Sequence, residues 1–533
     1  MTTSTELSVT NSIPGNGSNF EPDQHSAGNV LIPIGVIGLI LLGLSLISDP
    51  TILTLGIFGL VAAFPAAYLV WHRPELALLV LIFLESDIVL PDQLLDLRVA
   101  GGGLDLRDIV LLGTVGLTFV KQLTHRRIRI PLFPIGGFLI LFLLLTAVSL
   151  ANSLVFENVA FNWAMNDFRI MLYYTVFFAT AWGITTHKQV KTFLIGMFVM
   201  ANLVVVLMIF QQILGIDNLL TPGMSRWQIT EEAGGSLRIL PPLIFMIAIL
   251  MLISFAYAFY GSARQYRIIA AVQFFILLVG YLLTFTRSAW LTAFSAILIV
   301  LIHVAFQNRK KAAGILLLIS PLFLSILVLL FTVPITSYGR VPVVGFMLDR
   351  AASIFTVEET TESDSLQWRV YENTEALRSI SERPIFGVGL GNQYREITIA
   401  QGEAAGHRTT DDITRLTRYV HNSMLSIAVK MGLPTLALFL GTYIYFIFTA
   451  WRLHAKFRNK LHKSVALGVV AVFIPALFWA QFFSLFSESN HIISVAIFMG
   501  LVSIFYDFHS GELPYATDEV EDVTQLDAAS AKT

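Results

Sequence analysis

Apolar stretches of about 17 to 25 residues recur along this chain, and a helix of that length crosses the roughly 30 Å hydrocarbon core of a bilayer. Fourteen can be read, at 30–48, 51–71, 74–90, 109–120, 131–150, 168–185, 192–214, 239–260, 268–284, 288–306, 312–333, 421–451, 465–483 and 492–506. The expected fold is all-α, a polytopic transmembrane helical bundle of about 14 spans. Composition agrees: 55% of the 533 residues are hydrophobic and 13% are charged, too apolar for an ordinary soluble domain. A net charge of −2 argues against nucleic acid as a partner. With no cysteine, disulfides, thiol nucleophiles and zinc–thiolate sites are excluded.

Lysine and arginine gather in short cytoplasmic loops of such proteins. With the N-terminus inside, seventeen fall in the alternate loops that begin at Arg73, 121–129, 188–191, 264–267, 309–311 and 452–463. The opposite short loops and helix ends carry six: Arg98, Arg107, Arg169, Arg226, Arg238 and Arg287. Both termini are then expected in the cytoplasm. The partition by residue type is sharper still, because every lysine except Lys430 lies on the lysine-rich face. Outward arginines without lysines fit a face that handles phosphate, which guanidinium binds bidentately.

The expected organisation is a disordered cytoplasmic tail over 1–29, transmembrane helices 1–11 over 30–333, a long outer loop over 334–420, helices 12–14 over 421–506, and an acidic cytoplasmic tail over 507–533. A structureless loop of the length of 334–420 is unusual unless it is functional. Within it, Leu366, Val370, Leu377 and Ile380 repeat at helical spacing while Glu372, Glu375, Ser379 and Glu382 take the opposite face, which predicts an amphipathic helix over 365–382. Pro384 ends it. Gly387, Gly389 and Gly391 follow; they suit either a compact turn back to the membrane or a backbone cradle for a diphosphate.

Two residues stand out as candidates for chemistry. Arg287 lies in the tight turn Thr284-Phe285-Thr286-Arg287-Ser288, where facing lipid is costly, so it should face the bundle interior or an aqueous cavity. His421 precedes the potential N-cap residues Asn422 and Ser423, where the helix dipole favours a neutral, proton-accepting imidazole.

Three segments together resemble the O-antigen ligase and O-antigen polymerase family of bacterial membrane glycosyltransferases. They are Thr286-Arg287-Ser288-Ala289-Trp290-Leu291, the Arg369 helix running into Arg383-Pro384-Ile385-Phe386-Gly387-Val388-Gly389-Leu390-Gly391-Asn392, and Val420-His421-Asn422-Ser423-Met424-Leu425. The likeness runs from about Arg238 to Trp451. It implies an inner-membrane enzyme acting in the periplasm, which transfers a glycan from undecaprenyl diphosphate to an acceptor hydroxyl on a growing glycan or a lipid A core. No cofactor, nucleotide sugar or metal is implied. On this reading Arg287 binds the diphosphate and His421 is the general base or orients the acceptor. Arg169, Arg238, Arg369, Gly387 and Gly389 are expected to bind substrate. Two alternatives compete with it. A metal-dependent transferase would draw on Glu85 and Asp87, and a lipid-linked glycan transporter would line a transmembrane path with charge, of which Lys430 is the main instance.

Overall fold

The computed structural model describes residues 65–88, 96–99, 102–124, 129–214, 228–231, 237–308, 310, 313, 336–337, 341–342, 361–397 and 416–511. The chain divides into two units, Met1–Tyr68 and Leu69–Thr533, and the architecture below is that of the second. The expected spans at 30–48, 51–71 and 312–333 lie outside the described residues, apart from 65–71 and residue 313, as do the tails 1–29 and 512–533.

The other eleven spans appear as helices in the expected order. They are α1 (Pro74–Glu85), α2 (Leu106–Thr124), α3 (Ile135–Val155), α4 (Phe161–Leu172) with α5 (Val176–Gly183), α6 (His187–Leu214), α7 (Ile244–Tyr260), α8 (Arg264–Leu282) and α9 (Arg287–Gln307). After the loop helix α10 (Thr361–Glu382) come α11 (Ser423–Lys456), α12 (Lys460–Trp479) and α13 (Ser489–Ser510). Among the described residues seven helices are long and apolar enough to cross a membrane, or up to eight if the bent pair Pro65–His72 and Pro74–Glu85 is one span. The expected sixth span is split into α4 and α5 by a 3₁₀ turn at Tyr173–Thr175. Among the described residues there are three two-stranded antiparallel hairpins: β1 (Asp96–Val99) with β2 (Gly102–Asp105), β3 (Gln228–Glu231) with β4 (Leu237–Leu240), and β5 (Thr336–Ser337) with β6 (Val341–Pro342).

Local chemistry explains several boundaries. Pro74 opens α1 at a position where a missing N–H costs nothing. Asn422 and Asn459 cap α11 and α12, each side chain accepting two of the orphan backbone N–H groups. Gly511 closes α13 in the left-handed region. Here the expected acidic tail begins too early, because Asp507 is buried within α13 and paired with Arg129.

The centre of the bundle is α7, apolar all round and buried along almost its whole length, as a helix without a polar face must be. It packs against α8 and α12, while α13 packs against α5. At the α7–α12 crossing a Cβ on Gly468 would lie 2.7 Å from the Ile253 nitrogen, so glycine there sets how closely the two backbones approach.

Several side-chain contacts join helix ends assigned to the same face: Lys121 donates to the Trp71 carbonyl, Arg129 meets Asp507, Tyr260 meets Gln307, and His303 meets His454. Arg107 with Asp87, Arg169 with Asp108, Arg383 with Glu157, and Tyr419 with Glu488 gather from segments assigned to the other face.

α11 is broken at Gly432, whose φ of 85° and ψ of 166° are non-helical. Two residues on, Pro434 has no N–H to give the Lys430 carbonyl. The segment after α10 repairs both defects. Val388 N–H donates to the Val429 carbonyl at 2.7 Å and Gly389 N–H to the Lys430 carbonyl at 3.2 Å, while Leu433 N–H turns to the Pro384 carbonyl at 2.8 Å. Ser149 of α3 adds its hydroxyl to the Lys430 carbonyl. Unpaired backbone at membrane depth is tolerated only where protein satisfies it in this way.

Substituting Gly432 should undo the repair, since an alanine Cβ would stand 1.9 Å from the Ile385 carbonyl oxygen on a backbone conformation that is essentially reserved for glycine. Gly432→Ala is expected to lower the unfolding midpoint of the purified protein, with strain of about 1–3 kcal/mol, and to speed chymotrypsin cleavage after Phe386, which lies in the docked segment. An unchanged midpoint and cleavage rate would contradict the arrangement.

Candidate active site

α10 keeps part of the face its apolar periodicity suggests, with Ile380 buried and Glu382 exposed, and reverses another part. Val370 and Leu377 are 66% and 57% exposed, whereas Glu372 is 0% exposed and Ser379 is buried beside Ala376 and Ile380. The correction has a physical cause in long-range pairing. Glu372 points inward because two cationic or proton-donating partners await it, and Ala376 and Ile380 pack with Val388, Tyr394, Val420, Ala428 and Val429. The helix is also longer than expected, starting at Thr361.

Glu372 lies between His421 and Arg395. Its Oε2 is 2.8 Å from His421 Nδ1, and its Oε1 is 3.3 Å from Arg395 Nη2. Arg395 is itself buried, donates Nε and Nη2 to the Leu416 carbonyl, and is ringed by Trp368, Tyr371 and Tyr394. A buried charge needs such compensation.

His421 is held from both flanks. Tyr419 stacks edge-on against its ring with centroids 4.8 Å apart, and its hydroxyl donates to Glu488 and pairs with the Ser484 hydroxyl. Burial keeps that hydroxyl well above the ordinary tyrosine value, so it acts as a donor. On the other side Ser423 bonds the Ala480 and Phe483 carbonyls and accepts from Phe486 N–H. The imidazole remains 34% exposed, and among the described residues nothing hydrogen-bonds its Nε2.

Arg369 sits one turn before Glu372. Burial pulls its guanidinium below the usual arginine value, against the opposing attraction of Glu372 and Tyr419, yet no hydrogen bond ties it to a described residue. Its electrostatic neighbours Glu372 and Tyr419 both contact His421.

Arg287 is the first residue of α9, after Phe285 in the left-handed region. Because His303 near the C-terminal end of α9 meets His454 near that of α11, both helix N-termini, and hence Arg287 and His421, lie toward the other end of the bundle. No hydrogen bond or ion pair among the described residues joins the two side chains. Arg169 pairs with Asp108 at 3.0 Å and Asn166 at 3.1 Å; its neighbour Asp167 instead takes Lys430 Nζ and Gly391 N–H. Arg238 falls in β4 opposite Thr230, and its side chain lies outside the described residues.

The glycine run has its amides committed within the protein. Gly387 N–H donates to Arg383, Gly389 N–H to Lys430, and Gly391 N–H to Asp167, with Arg418 donating to the Gly391 carbonyl from above the Trp163 ring. The compact-turn reading accounts for all three. Glu85 and Asp87, offered by the sequence as cation ligands, instead hold Arg107, and Tyr173 and Ser489 donate to Glu85.

Sequence reading passed over Arg395 and Arg418, isolated charges in a loop with no periodicity to mark them. Removing Arg395 should strand a buried carboxylate, so Arg395→Ala is expected to destabilise the protein by about 3–5 kcal/mol. Arg378→Ala, which breaks only the exposed pair with Glu382, should leave the unfolding midpoint almost unmoved. Equal midpoints for the two variants would contradict the buried pairing.

No match is found among curated proteins. Residues 272–440, a stretch that holds Arg287, Arg369, Glu372, Arg395 and His421 and ends beyond the break in α11, match the O-antigen ligase family model.

Proposed function

We propose that this protein transfers a glycan from undecaprenyl diphosphate to an acceptor hydroxyl at the periplasmic face of a bacterial inner membrane, as an O-antigen or exopolysaccharide polymerase or an O-antigen ligase. The observation that carries the reading is a half-exposed histidine, hydrogen-bonded to a buried carboxylate at the capped start of α11, inside the stretch that matches the O-antigen ligase family. In this account the His421 end of the bundle faces the periplasm and both termini face the cytoplasm, as the distribution of lysine and arginine favours.

The chemistry divides between base and cations. His421 takes the acceptor's hydroxyl proton as that oxygen bonds to the anomeric carbon of the donor. The bond from that carbon to the phosphate oxygen breaks, and its electron pair leaves with undecaprenyl diphosphate. Arg287 and Arg369 stabilise the charge growing on the diphosphate, where preorganised cations in a water-poor site act most strongly. Arg169 and Arg238 are second contacts, and no cofactor, nucleotide sugar or metal takes part. Gly387 and Gly389 serve the substrate site through the turn that anchors α10.

Purified protein in liposomes, given an undecaprenyl-diphosphate oligosaccharide and EDTA, tests the reading. With the wild type, ladders of longer lipid-linked glycan are expected for a polymerase, and transfer only after lipid A core is supplied for a ligase. Arg287→Ala and His421→Ala should each abolish product while inserting normally. Full activity in both variants, or loss of wild-type activity on chelation, would overturn it.

A further inference from the structure

We propose that Glu372 is a positioning residue for the reaction: fixed by Arg395, it holds His421 in the tautomer with the proton on Nδ1, leaving Nε2 to accept the proton of the acceptor hydroxyl. This rests on the reading of His421 as the base, and it makes the loop helix α10 a working part of the site.

A carboxylate accepts hydrogen bonds and cannot donate them, so the 2.8 Å contact from Glu372 Oε2 to His421 Nδ1 requires the hydrogen on Nδ1. In a neutral imidazole the other nitrogen then carries the lone pair, since the partner of one ring nitrogen sets the state of the other. Nε2 is the nitrogen without a hydrogen-bonded partner among the described residues, on a ring that is partly open to solvent.

Glu372 has little freedom to do otherwise. It is fully buried, and its second oxygen faces Arg395, whose orientation is fixed by two bonds to the Leu416 carbonyl. Tyr419, on the other side of the imidazole, bonds away toward Ser484 and Glu488. Among the described residues, the imidazole meets Glu372 and Tyr419; behind Glu372 stand Arg395 and Glu372's neighbour on α10, Arg369, and behind Tyr419 stands Glu488. When His421 takes the proton, the carboxylate already in contact stabilises the imidazolium without rearrangement.

The register of the two helices supports a built contact. Glu372 meets His421 forty-nine residues ahead, and Pro384 meets Leu433 at the same offset. α10 and the first segment of α11 thus run parallel, pinned at both ends.

Nitrogen NMR of the full chain in liposomes, ring-labelled at histidine and held near pH 8, tests the claim. The His421 signal is identified by its loss in His421→Ala. The wild type should show Nδ1 protonated and Nε2 bare, a result that needs no altered carboxylate to fold; the reverse tautomer would overturn the proposal. In the charge-balanced double variant Glu372→Gln with Arg395→Gln, the signal should move toward Nε2 protonation. Turnover of lipid-linked oligosaccharide should fall on the order of 100-fold, with the donor KM unchanged. Glu372→Asp, which keeps the charge, should recover part of that turnover. Wild-type turnover and pH profile in the double variant, alongside an inactive His421→Ala, would overturn the role of Glu372 alone. An active His421→Ala would instead remove the base itself and this proposal with it.

Discussion

The break in α11 is the constraint on which the rest of the site depends. Pro434 leaves the Lys430 carbonyl without its helical donor, and the turn at Gly432 takes the Leu433 N–H away from Val429. In a membrane protein those groups must be satisfied by other protein groups. The segment 384–389 does so, and in docking there it fixes where α10 ends. Because α10 and the start of α11 run in the same direction from that anchor, Glu372 is carried to His421. A backbone requirement at one end of a short helix pair thereby places a carboxylate at the other.

Charge neutralisation follows the same economy of partners. Lys430, which carries one of the two carbonyls freed by the break, would be costly if exposed to lipid. It is matched by Asp167, which also takes the Gly391 N–H. The ion pair therefore ties the start of α11, the glycine turn and α4 together. Arg395 does the equivalent for Glu372. These are buried pairs, whose value lies less in net stability than in the loss incurred when one partner is missing. They specify which segments meet. Arg287 opens α9, and Arg369 lies one turn before Glu372 on α10.

Much of the architecture was legible in the sequence because apolar length marks helices: eleven expected stretches are helical in order, seven or eight of them among the described residues long and apolar enough to cross a membrane. The start of α11 was legible too, since Asn422 is a capping residue directly after the histidine. Less could be read where long-range partners decide. Periodicity placed Glu372 and Ser379 outward and Val370 and Leu377 inward; the structure reverses this, because a helix whose carboxylate finds a guanidinium and an imidazole across the chain buries its polar residue. Nothing local announces that Arg395 is the guanidinium, nor that Asp167 pairs with Lys430 and not with Arg169. The glycine run was visible, but its two readings differ only in where the amide hydrogens go, and two of the three acceptors, the Lys430 carbonyl and the Asp167 carboxylate, lie far away in the chain.

The account's central claim is a division of labour, in which cations hold the diphosphate and His421 moves the proton. Measuring donor binding and turnover separately in His421→Gln tests this most directly, using labelled undecaprenyl-diphosphate oligosaccharide and the full chain in liposomes. Binding within about twofold of the wild type with turnover lost by on the order of 100-fold or more is the predicted result. Turnover near the wild-type level, or a loss of donor binding that accounts for the whole effect, would contradict it.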